Sequence, residues 1–243
     1  MAGHSKWANI QHRKKRQDAK RGKLFTKLIK EITVAAREGG GEADSNPRLR
    51  LALDKAFSGN MNKDTIEKAI KRGTGNLEGV SYEELIYEGY SSSGVALIVE
   101  CVTDNKNRTV AAVRHAFSKF SGNLGSSGSV SYLFKKIGVI SYNETNKAEE
   151  IVDLAIENNA VDVIQEENYV EIHTDKSDYL NITKVLKENE FLFDNAELEM
   201  HAETKIELDA DEADTFIKFV DALDEIDDVQ NVYTNAKYPE ELN

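Results

Sequence analysis

Lysine and arginine side chains crowd the first thirty residues, which hold ten of them against a single acid, Asp18. The whole chain has a formal charge of -12, so the residues after Gly75 are strongly acidic. Ammonium and guanidinium groups are the side chains that neutralise phosphates. A cationic first segment on an anionic remainder therefore predicts contact with a polyanion through one end of the chain only.

Five of these cations recur at steps of four and three residues, which places them in one stripe along a helix. Apolar side chains between Leu24 and Ala36 fall on the other side, and the pattern predicts an amphipathic helix over residues 17–37. The stripe is either a solvated face or a set of phosphate contacts. Only Glu31 follows a stripe lysine at four residues, which weakens the first interpretation. The stripe consists of Arg16, Lys20, Lys23, Lys27 and Lys30.

Residues 1–16, called the arm below, have no apolar period and mix aromatic, polar and basic side chains. Trp7 either packs on the helices or stacks on a base or sugar, and His4 and Asn9 are further candidate base contacts. Two histidines in the arm, without cysteine or acidic partners, are too few for a metal site. The candidate nucleic-acid contacts are His4, Lys6, Trp7, Asn9, His12, Arg13, Lys14, Lys15, Arg16, Lys20, Arg21, Lys23, Lys27, Lys30, Lys71 and Arg72.

Two more helices follow the glycines at 39–41. Asn46, placed before a proline, and Asn62 are predicted N-caps of these helices. The three helices predict a small basic bundle that forms a nucleic-acid-binding domain over residues 1–78. The exit of the third helix, residues 71–75, is either an ordinary C-terminal cap or a backbone loop that approaches a phosphate.

After the bundle the apolar period changes from 3.6 to 2, which predicts strands. Two of them flank a Ser/Gly turn at 91–94 in a hairpin, and Cys101 in the second is predicted to be a buried structural thiol rather than a nucleophile. A helix over 107–120 is expected to pack on this hairpin. The glycine-rich segment 122–130 lacks GxGxxG and GK[ST], so it predicts a mobile surface loop, with ligand binding as the alternative. It leads into a predicted strand over 130–135.

Residues 136–202 show the order strand, helix, strand, strand, helix, strand, the split βαβ pattern of a ferredoxin-like sandwich. A strand, a helix and a strand then follow. A lone βαβ tail would leave an apolar face uncovered, so we expect residues 79–135 and 203–243 to form one α+β domain, with the ferredoxin-like domain inserted in it. The predicted fold class is α+β.

No convincing catalytic set is present: the chain has no GxSxG, HExxH, CxxC or Walker motif. We therefore expect no enzyme and no cofactor, although an enzyme that uses acidic clefts is a rival hypothesis. Acids of the last two domains fall at helix starts and on solvent faces, where they either repel nucleic acid or dock a basic protein partner. A single cysteine and the lack of a membrane-spanning apolar run predict a cytoplasmic protein.

Four stretches carry a resemblance to a known family: MAGHSKWANIQHRKKRQDAKRGKLFTKLIKEI, NPRLRLALDKA, NMNKDTIEKAIKRGTG and YEGYSSSGVALIVECVTDNKNRT. They closely resemble the YebC family, also called YebC/PmpR, densely over residues 1–135 and more loosely to the end. The resemblance implies a helical first domain and two α+β domains in three lobes. It also implies cytoplasmic DNA-binding transcriptional regulation, with similarity to the mitochondrial translational activator of cytochrome c oxidase and to members that relieve ribosome stalling.

Together these observations predict a non-enzymatic nucleic-acid-binding regulator of gene expression, specifically a DNA-binding transcriptional regulator that acts through the basic helical domain. The alternative is a translation factor that binds ribosomal RNA, activates translation or relieves stalling. Charge alone does not separate them, because DNA and RNA both present phosphates. The absence of an evident recognition helix favours recognition of shape or of RNA.

Overall fold

The computed structural model describes residues 21–166 and 168–239. It begins with three helices, α1 (Arg21–Gly39), α2 (Pro47–Ser58) and α3 (Lys63–Gly73). Their apolar faces meet in one core, which contains Leu28, Ile32, Leu49 and Ile66. A Cβ at Gly73 would collide with the carbonyl oxygen of Thr33, so only glycine lets α3 lie this close to α1.

The two predicted N-caps are confirmed. Asn46 Oδ1 accepts the backbone N–H of Leu49 at 3.0 Å, and Asn62 Oδ1 accepts that of Asp64 at 2.9 Å. Asn46 is buried, and its Nδ2 also donates to the carbonyl of Ala35 at 2.8 Å. One asparagine thus starts α2 and fastens it to the end of α1.

A four-stranded antiparallel sheet follows, with strand order β3-β1-β2-β9. Two helices supply aromatic side chains to its core, where the rings of Phe117 and Phe219 pack edge to face with their centroids 5.0 Å apart. The hairpin predicted around residues 91–94 is confirmed, since β1 and β2 pair on either side of it. The elements are β1 (Glu83–Tyr90), β2 (Ala96–Thr103), α4 (Lys106–Lys119), β3 (Asn123–Leu124), α7 (Ala210–Asp224) and β9 (Val229–Thr234), with the short parallel pair β8 (Ile206–Glu207) and β10 (Ala236–Lys237) beside them in sequence.

A second four-stranded sheet is antiparallel throughout, with strand order β5-β6-β4-β7. Its elements alternate as βαββαβ, the split βαβ arrangement. The predicted strand over residues 130–135 is wrong: a 3-10 turn at Ser131–Leu133 leads directly into one long strand, because Phe134 already pairs with Ala202. The elements are β4 (Phe134–Tyr142), α5 (Ala148–Glu157), β5 (Ala160–Gln165), β6 (Val170–Asp175), α6 (Tyr179–Glu188) and β7 (Asn195–Ala202).

The chain divides into two compact units. The first holds the described residues up to Ser131 and those from Thr204 onward, and the second holds Tyr132–Glu203. Helices and antiparallel sheets occur in both, so the predicted α+β class is confirmed. The arrangement in three lobes stays a prediction. Within the described ranges, every helix is too short or too polar to span a lipid bilayer.

Candidate nucleic-acid interface

Most of the predicted phosphate and base contacts lie outside the described residues. These are His4, Lys6, Trp7, Asn9, His12, Arg13, Lys14, Lys15, Arg16 and Lys20. The described chain begins at Arg21, the first residue of α1. The structure describes the side chains of five further candidates: Lys23, Lys27, Lys30, Lys71 and Arg72.

Lys30 does not face solvent. Its ammonium donates to Asp228 Oδ1 at 2.9 Å and to the carbonyls of Val102 at 3.0 Å and Asp227 at 2.9 Å. The residue is only 6% exposed. The expectation of a phosphate contact at Lys30 is therefore wrong, because the last turn of the stripe faces the sheet that contains β2 and β9.

Lys27 faces the same protein surface one turn earlier. Its Nζ donates to the carbonyl of Gln230 at 3.1 Å and lies 3.8 Å from Asp224 Oδ1. Lys23, a turn before it, is half-buried. The stripe thus changes role along α1. Its C-terminal lysines attach the helix to the sheet that contains β2 and β9, whereas Arg16 and Lys20 precede the described chain.

Asp228 is the centre of this attachment. Its carboxylate is 3% exposed and accepts hydrogen bonds from Lys30, from Arg108 Nη2 at 2.8 Å and from Thr109 Oγ1 at 2.8 Å. Burial alone would raise the pKa of the Asp228 carboxyl, but these three donors outweigh burial and hold the pKa below its usual value. A carboxylate held in this way is a structural anion rather than an acid or base for catalysis.

A second charged cluster joins α1, α2 and β1 through Arg48. Its Nε and Nη2 donate to the two carboxylate oxygens of Glu31 at 2.8 and 3.0 Å, and Nη2 also donates to Glu84 Oε1 at 2.6 Å. Glu38 accepts from Nη1 at 2.7 Å. Burial alone would lower the pKa of Arg48, but the surrounding carboxylates raise it. Sequence reasoning missed this cluster because its members share no regular spacing.

Lys71 and Arg72 lie exposed in the last turn of α3. The backbone N–H groups of Asn76 and Leu77 both donate to the carbonyl of Lys71, at 2.8 and 3.1 Å, and that of Thr74 donates to Ile70 at 2.9 Å. These amides close the helix end, which favours the C-cap over a backbone phosphate loop. The two side chains remain candidates for phosphate contacts through their charge.

A buried carboxylate binds the C-terminal half of the glycine-rich segment. The carboxylate of Glu88, 5% exposed, accepts the backbone N–H groups of Gly128, Val130 and Ser131, each at 2.8 Å. Burial alone would raise the pKa of Glu88, but these amides lower it. Residues 125–128 are exposed, as expected for a surface loop, and the mobility of the segment stays a prediction. Its inward amides bind the protein's own anion, which leaves them no capacity for phosphate.

Three further features concern the single cysteine, the acidic start of α7 and the metal-ligating side chains. Cys101 is buried in β2, as predicted, and burial raises the pKa of its thiol to about 12. Asp209 caps α7 by accepting the N–H of Glu212 at 2.8 Å, as expected for an acid at a helix start. Among the residues that the structure describes, no three metal-ligating side chains form a cluster.

Comparison with known proteins covers nearly the whole chain. The model of the TACO1/YebC protein N-terminal domain matches residues 5–76, and that of the TACO1/YebC second and third domain matches residues 82–236. Two relatives, from Nitrosococcus oceani and Shewanella oneidensis, are 56% and 55% identical over 243 residues, which is 100% of this chain and 98% of each relative. Both are named "Probable transcriptional regulatory protein".

The fold also matches a solved structure. The crystal structure of a conserved hypothetical protein from Aquifex aeolicus aligns with a TM-score of 0.83 and 44% sequence identity, over 92% of this chain and 93% of that chain. The sequence matches and the structural match each cover most of the chain. The chain belongs to the TACO1/YebC family.

Proposed function

We propose that the chain is a non-enzymatic, DNA-binding regulator of transcription whose main contact with nucleic acid is the basic segment of its first thirty residues. The observation that carries this proposal is the charge distribution, ten cations and one acid at the start of a chain of net charge -12. The transcriptional names of the relatives support it.

We leave two stripe lysines out of the proposed phosphate contacts, because Lys27 and Lys30 bind protein groups. Asp18 is the single acid among the residues that remain. Eight cations of the first thirty residues are still candidates: Lys6, Arg13, Lys14, Lys15, Arg16, Lys20, Arg21 and Lys23.

The two internal lysines give the basic segment a fixed point of attachment. Because Lys30 is bonded to Asp228 and Lys27 to Gln230, α1 is held against the end of the sheet. The arm joins the chain just before this helix. The acidic remainder repels phosphates, so we expect a polyanion to approach through the arm and the start of α1.

Binding to ribosomal RNA is the second candidate, and one observation favours it. The exposed side of α3 presents acids, Asp64 and Glu67, among its cations, and Lys68 Nζ is bonded to Asp64 at 2.6 Å. Such a mixed surface is poorly suited to a recognition helix in a DNA major groove. Recognition of RNA shape and backbone needs no such helix.

Equilibrium binding of the full chain to duplex DNA and to structured RNA separates the two candidates. We expect the full chain to bind duplex DNA more tightly than structured RNA. An arm variant (Arg13→Gln, Lys14→Gln, Lys15→Gln, Arg16→Gln) is expected to lose this binding. A body variant (Lys136→Gln, Lys176→Gln, Lys184→Gln, Lys187→Gln) removes four exposed cations elsewhere and is the matched control. Preference for RNA, together with co-sedimentation with ribosomes at low salt, would overturn the transcriptional proposal in favour of the ribosomal one.

A further inference from the structure

Helix α4 has an unusual charge for its position in the chain. The part of the chain after Gly75 is dominated by acids, yet α4, with the sequence KNRTVAAVRHAFSK, contains four lysines or arginines, one histidine and no acid. On an ordinary solvated helix, cations alternate with acids three or four residues away. The composition of α4 departs from this pattern and from that of its surroundings.

Three cations of α4 lie on its solvent side. Thr109, Val113, Ala116 and Phe117 are buried against the sheet and α7. At 100° per residue, seven exposed side chains occupy a sector of roughly 140°, with small or uncharged residues along its middle and cations on both flanks. This solvent face contains Asn107, Arg108, Ala111, Arg114, His115, Ser118 and Lys119. Lys106 lies outside this sector, roughly 80° from Arg114, and is exposed because it begins the helix.

Most of these cations are not used by the fold. Arg108 is the exception, since it is bonded to Asp228 and Asp104. Lys106, Arg114 and Lys119 form no ion pair with the residues that the structure describes; the ammonium of Lys119 lies 5.5 Å from the ring centroid of Phe120. Arg108 thus fixes the helix while the other three cations stay available to a ligand.

The small side chains of Ala111 and Ser118 between the flanking cations leave room for a close approach. At 1.5 Å per residue the face is about 21 Å long, comparable to six base-pair steps of duplex.

We propose that the solvent face of α4 is a second nucleic-acid contact surface, in which Arg114 and Lys119, together with Lys106 at the start of the helix, bind backbone phosphates. The inference rests on the proposed function, since it adds a second contact for the polyanion that the arm binds. Helix α7 borders the face and carries exposed acids, among them Asp211, Glu212 and Asp214. We therefore expect contact along α4 itself rather than across both helices.

An α4 variant (Lys106→Gln, Arg114→Gln, Lys119→Gln) tests the proposal in the full chain. Arg108 is left intact because it stabilises Asp228. Against duplex DNA and structured RNA, we expect the affinity of the α4 variant for the preferred probe to fall about tenfold or more, and the slope of log K against log salt to fall by roughly 0.7 to 0.9 for each lost phosphate contact. The body variant, which loses one charge more, is expected to bind as the unmodified chain does.

A second measurement locates the contact. Cys101 is buried, and burial raises the pKa of its thiol, so we expect a photo-crosslinker to attach selectively to an exposed cysteine introduced by Ala111→Cys. We expect nucleic acid to be crosslinked from position 111 and not from a control Leu192→Cys, which is 78% exposed in the second unit.

The outcomes separate this inference from the proposed function. Loss of binding in the arm variant with full binding in the α4 variant would overturn the α4 surface and leave the proposed function standing. Weakened binding in the α4 variant, together with unchanged binding in the arm variant, would support the α4 surface and contradict the arm as a contact. If the unmodified chain binds neither probe, both proposals are wrong.

Discussion

The ammonium of Lys30 lies 2.9 Å from Asp228 Oδ1, and both side chains are almost fully buried. This contact joins α1 to the residue that precedes β9, across 198 positions of the chain. Buried ion pairs of this kind require extra hydrogen bonds to offset desolvation, and both partners have them. The pair therefore fixes α1 against the sheet within the first unit.

Replacing Lys30 by methionine leaves Asp228 as a buried anion without its main partner. We expect Lys30→Met to lower the free energy of unfolding by about 3 to 5 kcal/mol, measured by urea titration followed by circular dichroism. Lys68→Met is the control, because the pair between Lys68 and Asp64 is exposed, and a change within about 0.5 kcal/mol is expected there. Equal effects of the two substitutions would show that the Lys30 pair is not structural.

Asp228 also predicts a pH dependence. Its pKa is lower in the folded chain than in the unfolded chain, so its contribution to stability is complete above the unfolded-state pKa of about 3.9 and is lost as the pH falls through the folded-state value. We expect Asp228→Asn to be destabilised relative to the unmodified chain at neutral pH, and the difference to shrink below about pH 4. A difference that stays constant down to acid pH would contradict this assignment.

Glu88 holds the glycine-rich segment through three amide groups. Glutamine has one acceptor oxygen and one N–H₂ group, so Glu88→Gln leaves at least one of these amides without an acceptor. Gly128 binds one carboxylate oxygen, and Val130 and Ser131 bind the other. An unsatisfied buried amide costs about 1 to 3 kcal/mol, which predicts that hydrogen exchange becomes roughly ten- to a hundredfold faster at Gly128 or at Val130 and Ser131, depending on which oxygen position the glutamine N–H₂ group occupies. Glu83→Gln, at an exposed site on the same strand, should leave these rates unchanged. Unchanged exchange in Glu88→Gln would mean that the carboxylate does not anchor the segment.

Gly138 lies where β4 passes under α6. A Cβ at this position would collide with the ring of Tyr179, which is fully buried, and with the hydroxyl of Thr174. We expect Gly138→Ala to destabilise the second unit by about 1 to 3 kcal/mol. Gly22→Ala is the opposite case, because nothing lies within 4 Å of its Cβ position in α1, and a gain of about 0.5 to 1 kcal/mol is expected. Thermal unfolding of both variants measures the contrast.

Local features of this fold were predictable because their causes are local. Asn46 and Asn62 were recognisable as N-caps since the amides that they accept are two or three residues away. The turn at 91–94 and the buried Cys101 followed from the period of the strands around them. The acid-free composition of α4 was also visible, but its meaning depends on which side chains the sheet buries.

The partners of individual charged side chains were not predictable from the sequence. Lys30 and Lys20 are equivalent in the helical stripe, and only the distant Asp228 gives Lys30 a buried partner. Arg48 finds Glu31 and Glu84 in two other elements, at separations with no period. A helical pattern identifies the polar face of a helix, whereas tertiary packing decides which part of that face meets protein.

The salt dependence of duplex binding by the unmodified chain and the arm variant tests the central claim most directly. If Arg13, Lys14, Lys15 and Arg16 each neutralise a phosphate, the slope of log K against log salt should fall by about 0.9 for each of them in the variant, with a large loss of affinity at low salt. The body variant should keep the full slope. Equal slopes and equal affinities in the unmodified chain and the arm variant would contradict the account.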